Sequence, residues 1–116
     1  MNTYPISIEA IVEINQRLTG VECSRERRKL LTGIFSGYLY QSSKQEKIAS
    51  IVLNILKGHY FFDGNKRTAF AVYLDLCQAN DISYVSDENI LGDLFISLAS
   101  DAFDVKKAKN RLFPED

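Results

Sequence analysis

The stretch "KIASIVLNILKGHYFFDGNKRTAFAVYLDLCQAN", residues 47–80, decides the fold. Residues 45–57 are apolar around most of the helical circumference, and the same holds from about Asn65 to near Asn80. A helix that is apolar on nearly every side is a buried one. We therefore predict two central core helices. Gly58 is expected to end the first of them, and a short polar joint connects the two.

Amphipathic helices are predicted before this pair. Residues 7–19 carry an apolar stripe, with Ser7 as a plausible N-cap and Gly20 as a stop. Ser24 is expected to cap a second helix, which runs through residues 25–35. The next segment, up to the first core helix, is rich in Gly, Ser and Tyr and is predicted to be a loop with room for a short strand or hairpin.

Two more helices are predicted after the pair. Residues 81–85 indicate a loop with a possible short strand, and Ser86, followed by two acids, is expected to cap the next helix. A last helix is predicted from about Phe103 to Leu112. The expected fold class is all-α, a single compact domain over residues 1–116 with about six helices around the buried pair. The core positions expected on the fifth helix are Ile90, Leu91, Leu94, Phe95 and Leu98.

Composition excludes several classes of protein. The net charge of −1 over 116 residues gives no general attraction to nucleic acid or to anionic membranes. No apolar run approaches the roughly 20 residues of a membrane span, and the start does not resemble a signal peptide. Cys23 and Cys77 are not in a CxxC motif, which indicates reduced thiols in a cytoplasmic protein, with Cys77 packed in the core.

The short segment between the core helices leads into a group of charged and polar residues that could bind an anion. Gly64, Asn65, Lys66 and Arg67 lie at or just before the start of the second helix. Free backbone N–H groups and the helix dipole favour an anion there. Lys66 and Arg67 add two charges that oppose the dipole unless an anion binds. The alternative to an anion site is that Lys66 and Arg67 are two solvated cations in the first turn of the helix.

Two further residues complete the candidate site. Asp63 is suited to hold Mg²⁺ beside a polyphosphate, although an Asp-Gly pair is also a common turn or helix cap. His59, the single histidine of the chain, suits a general base because imidazole titrates close to neutral pH. A lone loop histidine is more often only a polar surface residue. Phe61 is expected to be a buried anchor for the loop.

Residues 59–67 form the pattern H-x-F-x-D-G-N-K-R, which resembles the motif of the Fic/Doc (fido) superfamily. The resemblance implies a fido-type fold and a transferase that uses ATP and Mg²⁺. In it, His59 would be the general base, Asp63 the metal ligand, and Gly64, Asn65, Lys66 and Arg67 the phosphate-binding residues.

Lys66 makes the motif similar to that of the Doc-like (death-on-curing) toxins of toxin–antitoxin pairs. This similarity implies phosphorylation of a protein hydroxyl, in that branch on elongation factor Tu, and inhibition by a separate Phd-like antitoxin. An internal inhibitory motif, [S/T]-x-x-x-E-[GN], is not matched, because its nearest candidate, Ser42 to Glu46, is followed by Lys47. Two alternatives stay open: Fic-type AMP transfer, which Gly64 favours, and an inactive regulatory binding protein. Residues 36–44 are a candidate docking segment for the target, with a plain connecting loop as the alternative.

Overall fold

Both apolar runs form helices in the computed structural model, which describes residues 6–85 and 87–113. Six α-helices lie in this part of the chain, and no strand is found in it, so the predicted all-α, fido-type fold is confirmed. The radius of gyration is 13.2 Å. The helices are α1 (Ile8–Thr19), α2 (Arg25–Leu30), α3 (Lys44–Gly58), α4 (Asn65–Ala79), α5 (Glu88–Ser100) and α6 (Val105–Leu112).

Helix α3 is the centre of the molecule. It packs against α4, α5 and α6 and against the 3₁₀ turn Leu31–Phe35. Its buried side chains cover several faces, as predicted for a central helix. Helix α4 is buried mainly on one side, and Phe70 and Leu74 on its other side are only partly covered. The buried residues of α3 are Ile48, Ala49, Ser50, Ile51, Val52, Leu53, Ile55 and Leu56.

The predicted caps of the first two helices are confirmed. The Ser7 hydroxyl accepts a hydrogen bond from the Ala10 amide, and Gly20 has the left-handed conformation that ends α1. The Ser24 hydroxyl accepts from the Arg27 amide at the start of α2. The second helix is shorter than predicted, because after Leu30 the chain tightens into the 3₁₀ turn.

Helix α5 departs from the prediction at two positions. Ser86 lies outside the described residues, and the side chain that caps α5 is Asp87, which accepts from the Asn89 and Ile90 amides. Ile90 is predicted to be in the core but is 57% exposed; it lies in the first turn of α5, and the buried positions of this helix begin at Leu91. The other expected core residues of this helix, Leu91, Leu94, Phe95 and Leu98, are buried.

The end of α3 also differs from the prediction. Gly58 is the last helical residue, and the left-handed residue after it is His59, with φ 53° and ψ 41°. Gly58 is required for another reason: a Cβ there would lie 2.1 Å from the ring of Tyr60. The hydroxyl end of the same ring lies against Gly33, where a Cβ would come equally close. The Tyr60 ring therefore occupies a slot between two glycines.

The connecting segments contain turns. Residues 36–44 include a short 3₁₀ turn, Tyr38–Tyr40, in place of the strand for which the sequence left room, and the possible strand at 81–85 is a loop. Within the described ranges, no helix combines the length and apolar character needed to cross a bilayer. Cys77 is buried in the core as predicted, whereas Cys23 is partly exposed, and neither forms a disulfide.

Candidate active site

The loop that joins α3 to α4 carries the candidate residues. His59 lies at the end of α3 and its side chain is exposed. Phe61, two residues later, is only 3% exposed and belongs to the main core, as predicted for an anchor. Phe62 beside it is 80% exposed. The buried Phe61 ring thus anchors the loop to the core, while the His59 imidazole stays accessible to solvent.

Asn65 closes the loop on itself. Its side-chain oxygen accepts from the Phe61 amide at 3.0 Å, and its side-chain nitrogen donates to the Phe61 carbonyl at 2.9 Å. One hydrogen of the side-chain amide and the backbone N–H of Asn65 are left to bind an anion. The larger part of this side chain's hydrogen-bonding capacity thus fixes the shape of the loop.

Asp63 faces both the turn and a cation. Its Oδ1 accepts from the Gly64 amide at 2.8 Å, and its Oδ2 lies 3.8 Å from an Arg67 nitrogen. Both side chains of the pair are more than half exposed, so the pair contributes little stability. The carboxylate therefore remains available to a cation, and the Arg67 guanidinium to an anion.

Gly64 precedes the first turn of α4 in the left-handed conformation, with φ 77°. A Cβ at this position would lie 2.5 Å from the Thr19 methyl and 3.3 Å from the Asn15 side-chain nitrogen. Glycine is thus needed both for the dihedral angle and for the close approach of α1. The local backbone explains this residue without reference to any substrate.

The start of α4 has the features of an anion site. No side chain of the described residues caps it, so the first backbone N–H groups point outward. Lys66 and Arg67 are exposed there. Lys66 makes no ion pair within the described chain, and Arg67 also donates to the Leu18 carbonyl at 3.1 Å. The structure therefore brings the four predicted phosphate-binding positions, 64–67, to one helix terminus.

Helix α1 supplies a residue of the site, Asn15, that is not among those predicted from the sequence. Asn15, only 3% exposed, donates to the Asp63 carbonyl at 2.8 Å and to the Thr68 hydroxyl at 3.0 Å. It thereby ties α1 to both the loop and α4. The signal was present in the sequence, because Asn15 follows Ile11 and Val12 at helical spacing on the apolar stripe of α1, where a polar residue needs a partner.

A cleft of about 540 Å³ opens beside Lys66 and Arg67, between α4 and α5. Its size is typical of a ligand-binding site. The exposed part of its lining is mostly apolar, and the two cations lie on its rim with Glu88 as the acidic residue among the lining side chains. The apolar lining is formed by Leu18, Phe70, Ala71, Leu74, Phe95 and Ile96.

The nearest match to an inhibitory motif lies far from this site. Glu46 is in the first turn of α3 and accepts from the Ser42 hydroxyl and amide, at 2.6 and 3.1 Å. His59 follows the opposite end of the same 15-residue helix, about 20 Å away at 1.5 Å per residue. Glu46 therefore acts as a local helix cap.

In the loop between α3 and α4, the carboxylate that could bind a metal ion is that of Asp63. Within residues 6–85 and 87–113, no three His, Cys, Asp or Glu side chains form a group that could hold a metal. Mg²⁺ commonly binds through one or two carboxylates together with phosphate oxygens and water. Asp63 thus fits a magnesium ion that arrives with a nucleotide, and it does not form a complete site by itself.

Comparison with protein families shows the family of this chain. Neither the curated proteins nor the solved structures include a match to this chain. The model of the Fic/DOC family matches residues 5–77, which run from before α1 almost to the end of α4 and include the whole loop and the start of α4. Because this match covers more than half of the 116 residues, the chain belongs to the Fic/DOC family.

Proposed function

We propose that this protein is an ATP-dependent transferase of the Doc type, which phosphorylates a hydroxyl side chain of a protein. Fic/DOC proteins are in general ATP-using enzymes that modify other proteins. The observation that carries the proposal is the uncapped start of α4, where Lys66 and Arg67 lie next to Asp63 and follow the exposed His59 in the same short loop.

In this proposal, the ATP phosphates lie at the first N–H groups of α4. Gly64 supplies the left-handed turn that leads into α4, Arg67 can donate to two oxygens, and Lys66 acts as a compact charge. Asn65 contributes its backbone N–H and keeps the loop in shape through Phe61. Asp63 would hold Mg²⁺, which when bound supplies charge neutralisation for the phosphates.

The transfer step is a displacement at the γ-phosphorus. The substrate hydroxyl oxygen forms a bond to that phosphorus, the bond to the β–γ bridging oxygen breaks, and ADP leaves. His59 takes the hydroxyl proton as the general base. Alignment of the two substrates and stabilisation of the phosphate charges account for most of the rate enhancement.

Lys66 favours phosphoryl transfer over AMP transfer. Its side chain lies at the rim of the cleft, on the first turn of α4, where a glycine would leave space for the α-phosphate. Fic enzymes that transfer AMP tend to carry a second arginine three residues after the motif arginine, and this chain has Phe70 there, which packs against Phe95. Gly64 does not help to distinguish phosphoryl transfer from AMP transfer, because its left-handed backbone and the nearby Thr19 methyl already require a glycine at this position.

Parallel incubations with α-labelled and γ-labelled ATP test the proposal. With candidate bacterial target proteins, including elongation factor Tu, we expect label from the γ position and none from the α position. Lys66→Gly should lose γ-transfer, and His59→Ala should abolish it in a folded protein. Label from the α position alone would establish AMP transfer instead. Growth inhibition that survives His59→Ala would favour a regulatory protein without catalysis.

Magnesium provides a separate test. Because Asp63 offers a single carboxylate, titration calorimetry should detect no Mg²⁺ binding to the protein alone, whereas ATP should bind to the protein more tightly with Mg²⁺ than without it. Asp63→Asn should reduce this gain in ATP affinity. Strong binding of Mg²⁺ without nucleotide would contradict the proposed role of Asp63.

We further propose that the protein acts in the cytoplasm and is held inactive by a Phd-like antitoxin. The apolar cleft with two cations on its rim suits an amphipathic segment that places a carboxylate near Lys66 and Arg67. A designed amphipathic acidic peptide should shift the NMR methyl signals of Ala71 and Ile96, and Ile96→Asp should prevent this. Binding that is unaffected by Ile96→Asp would place the partner on another surface.

A further inference from the structure

An arginine outside the motif holds the turn that carries the only histidine. Arg27 of α2 donates from Nη1 to the Tyr60 carbonyl at 2.9 Å and to the His59 carbonyl at 3.3 Å. These two consecutive carbonyls belong to the turn that follows α3. Arg27 is 32 residues away from His59 in the sequence, so it joins two separate parts of the chain.

The turn needs such support for a physical reason. His59 adopts the left-handed region at φ 53°, which is unfavourable for a residue with a Cβ. It follows the last residue of α3, where carbonyl groups lack partners within the helix. A guanidinium group that donates to both carbonyls favours this backbone over the extended alternatives, in which the imidazole would point elsewhere.

Arg27 is itself well placed for this role. Its amide is bound by the Ser24 hydroxyl, which fixes it in the first turn of α2. Within the described residues its guanidinium makes no ion pair with a carboxylate. It also lines a cavity of about 260 Å³ together with Phe61 and Phe62. The group is therefore committed to the backbone of the loop rather than to a charge partner.

We propose that Arg27 is a positioning residue, which sets the orientation of His59 through the backbone of residues 59 and 60. The catalytic consequence rests on the proposed function, whereas the structural one does not. If His59 is the general base, misplacing it should lower kcat. The KM for ATP should change little, because the phosphate-binding groups lie on α4.

The single histidine makes the structural part directly measurable. In NMR spectra of the full chain, the imidazole signals and the φ-dependent coupling of the His59 amide can be assigned without ambiguity. Arg27→Ala should move both away from their wild-type values under conditions where the protein stays folded. Arg25→Ala is the matched control, since Arg25 is exposed on the same helix and makes no described hydrogen bond or ion pair.

Arg27→Lys and Arg27→Gln complete the experiment, because each keeps a donor and covers the case in which the alanine variant does not fold. Both should retain part of the wild-type coupling, and Arg27→Ala should lower kcat by about tenfold or more. Unchanged His59 signals in Arg27→Ala, or in the lysine and glutamine variants if alanine unfolds, would overturn the proposal. A wild-type protein without transferase activity would refute the proposed function and leave the NMR test intact.

Discussion

Gly64 is subject to two demands, its left-handed backbone and its distance to Thr19. Gly20 shares the first demand, with φ 72°, but a Cβ there would meet nothing within 4 Å. Gly20→Ala should therefore cost about 1–2 kcal/mol of unfolding free energy, the value for a left-handed residue that gains a Cβ. Gly64→Ala should cost more, because the same strain is joined by the clash with the Thr19 methyl.

Urea unfolding of the two alanine variants measures this difference. A third variant, Gly64→Ala with Thr19→Ser, removes the methyl and keeps the hydroxyl that bonds to the Asn15 carbonyl. It should recover the excess cost and leave the strain. Equal stabilities for Gly20→Ala and Gly64→Ala would show that α1 moves aside without penalty.

At the scale of single residues, the motif was readable from the sequence, but part of its chemistry was not. The pattern placed His59, Asp63 and the cations in one loop, and Phe61 in the core. It could not show that Asn65 bonds to Phe61, or that Asn15 and Arg27 hold the loop from outside. The contacts of Asn15 and Arg27 with the loop join residues 48 and 32 positions apart, and only the packing of the helices brings them together.

At the scale of the helices, the hydrogen bonds at the start of α3 predict how the stability of the protein changes at acidic pH. Glu46 accepts from Ser42, and the Ser42 hydroxyl and amide lower the pKa of that carboxyl below its ordinary value of 4.5. A lowered pKa in the folded state stabilises the protein above pH 4.5, and this contribution is lost as the pH falls through the folded value. Ser42→Ala removes the stronger of the two hydrogen bonds.

Thermal unfolding between about pH 6 and pH 3 tests this linkage. The wild-type melting temperature should fall more steeply with acid than that of Ser42→Ala. Ser100→Ala serves as the control, because Ser100 donates only to backbone carbonyls of α5 and should keep the wild-type slope. Parallel curves for all three proteins would contradict the inferred role of Ser42.

Helix boundaries were predicted well where a local residue decides them, and poorly where packing does. Ser7, Ser24 and Gly20 act within one turn, so the sequence sufficed. At the end of α3 the ordinary rule pointed to Gly58 as the left-handed residue. The Tyr60 ring needs the space over that glycine, and the left-handed angle falls on His59 instead.

For the molecule as a whole, Tyr73 connects the C-terminal part to the centre. Its hydroxyl donates to the Leu112 carbonyl and accepts from the Val85 amide, and its side chain is fully buried on α4. Tyr73→Phe leaves both backbone groups without this partner. We expect a loss of about 1–3 kcal/mol in urea unfolding. Tyr84→Phe, which removes an exposed hydroxyl contact with Gln78, should be nearly neutral.

The buried side chains of Tyr73 and Cys77 predict that the protein loses stability at alkaline pH. Burial raises the pKa of Tyr73 and of the Cys77 thiol, each to about 12, from ordinary values of 10.0 and 9.0. A group whose pKa is raised in the folded state stabilises that state at pH values below the ordinary pKa of the group. This contribution to stability is lost as the pH rises toward the pKa that the group has in the folded state. Unfolding free energy should thus decline above about pH 9, and less steeply in Tyr73→Phe. A flat profile up to pH 11 would contradict this.

The slot that holds Tyr60 limits the order in which this sequence can change. Gly33 and Gly58 lie 25 positions apart, yet an alanine at either would meet the same ring. Neither glycine can be replaced first without displacing Tyr60. A smaller side chain at position 60 would open the way for both. Descendants of this chain should therefore lose the aromatic ring before they gain a side chain at position 33 or 58.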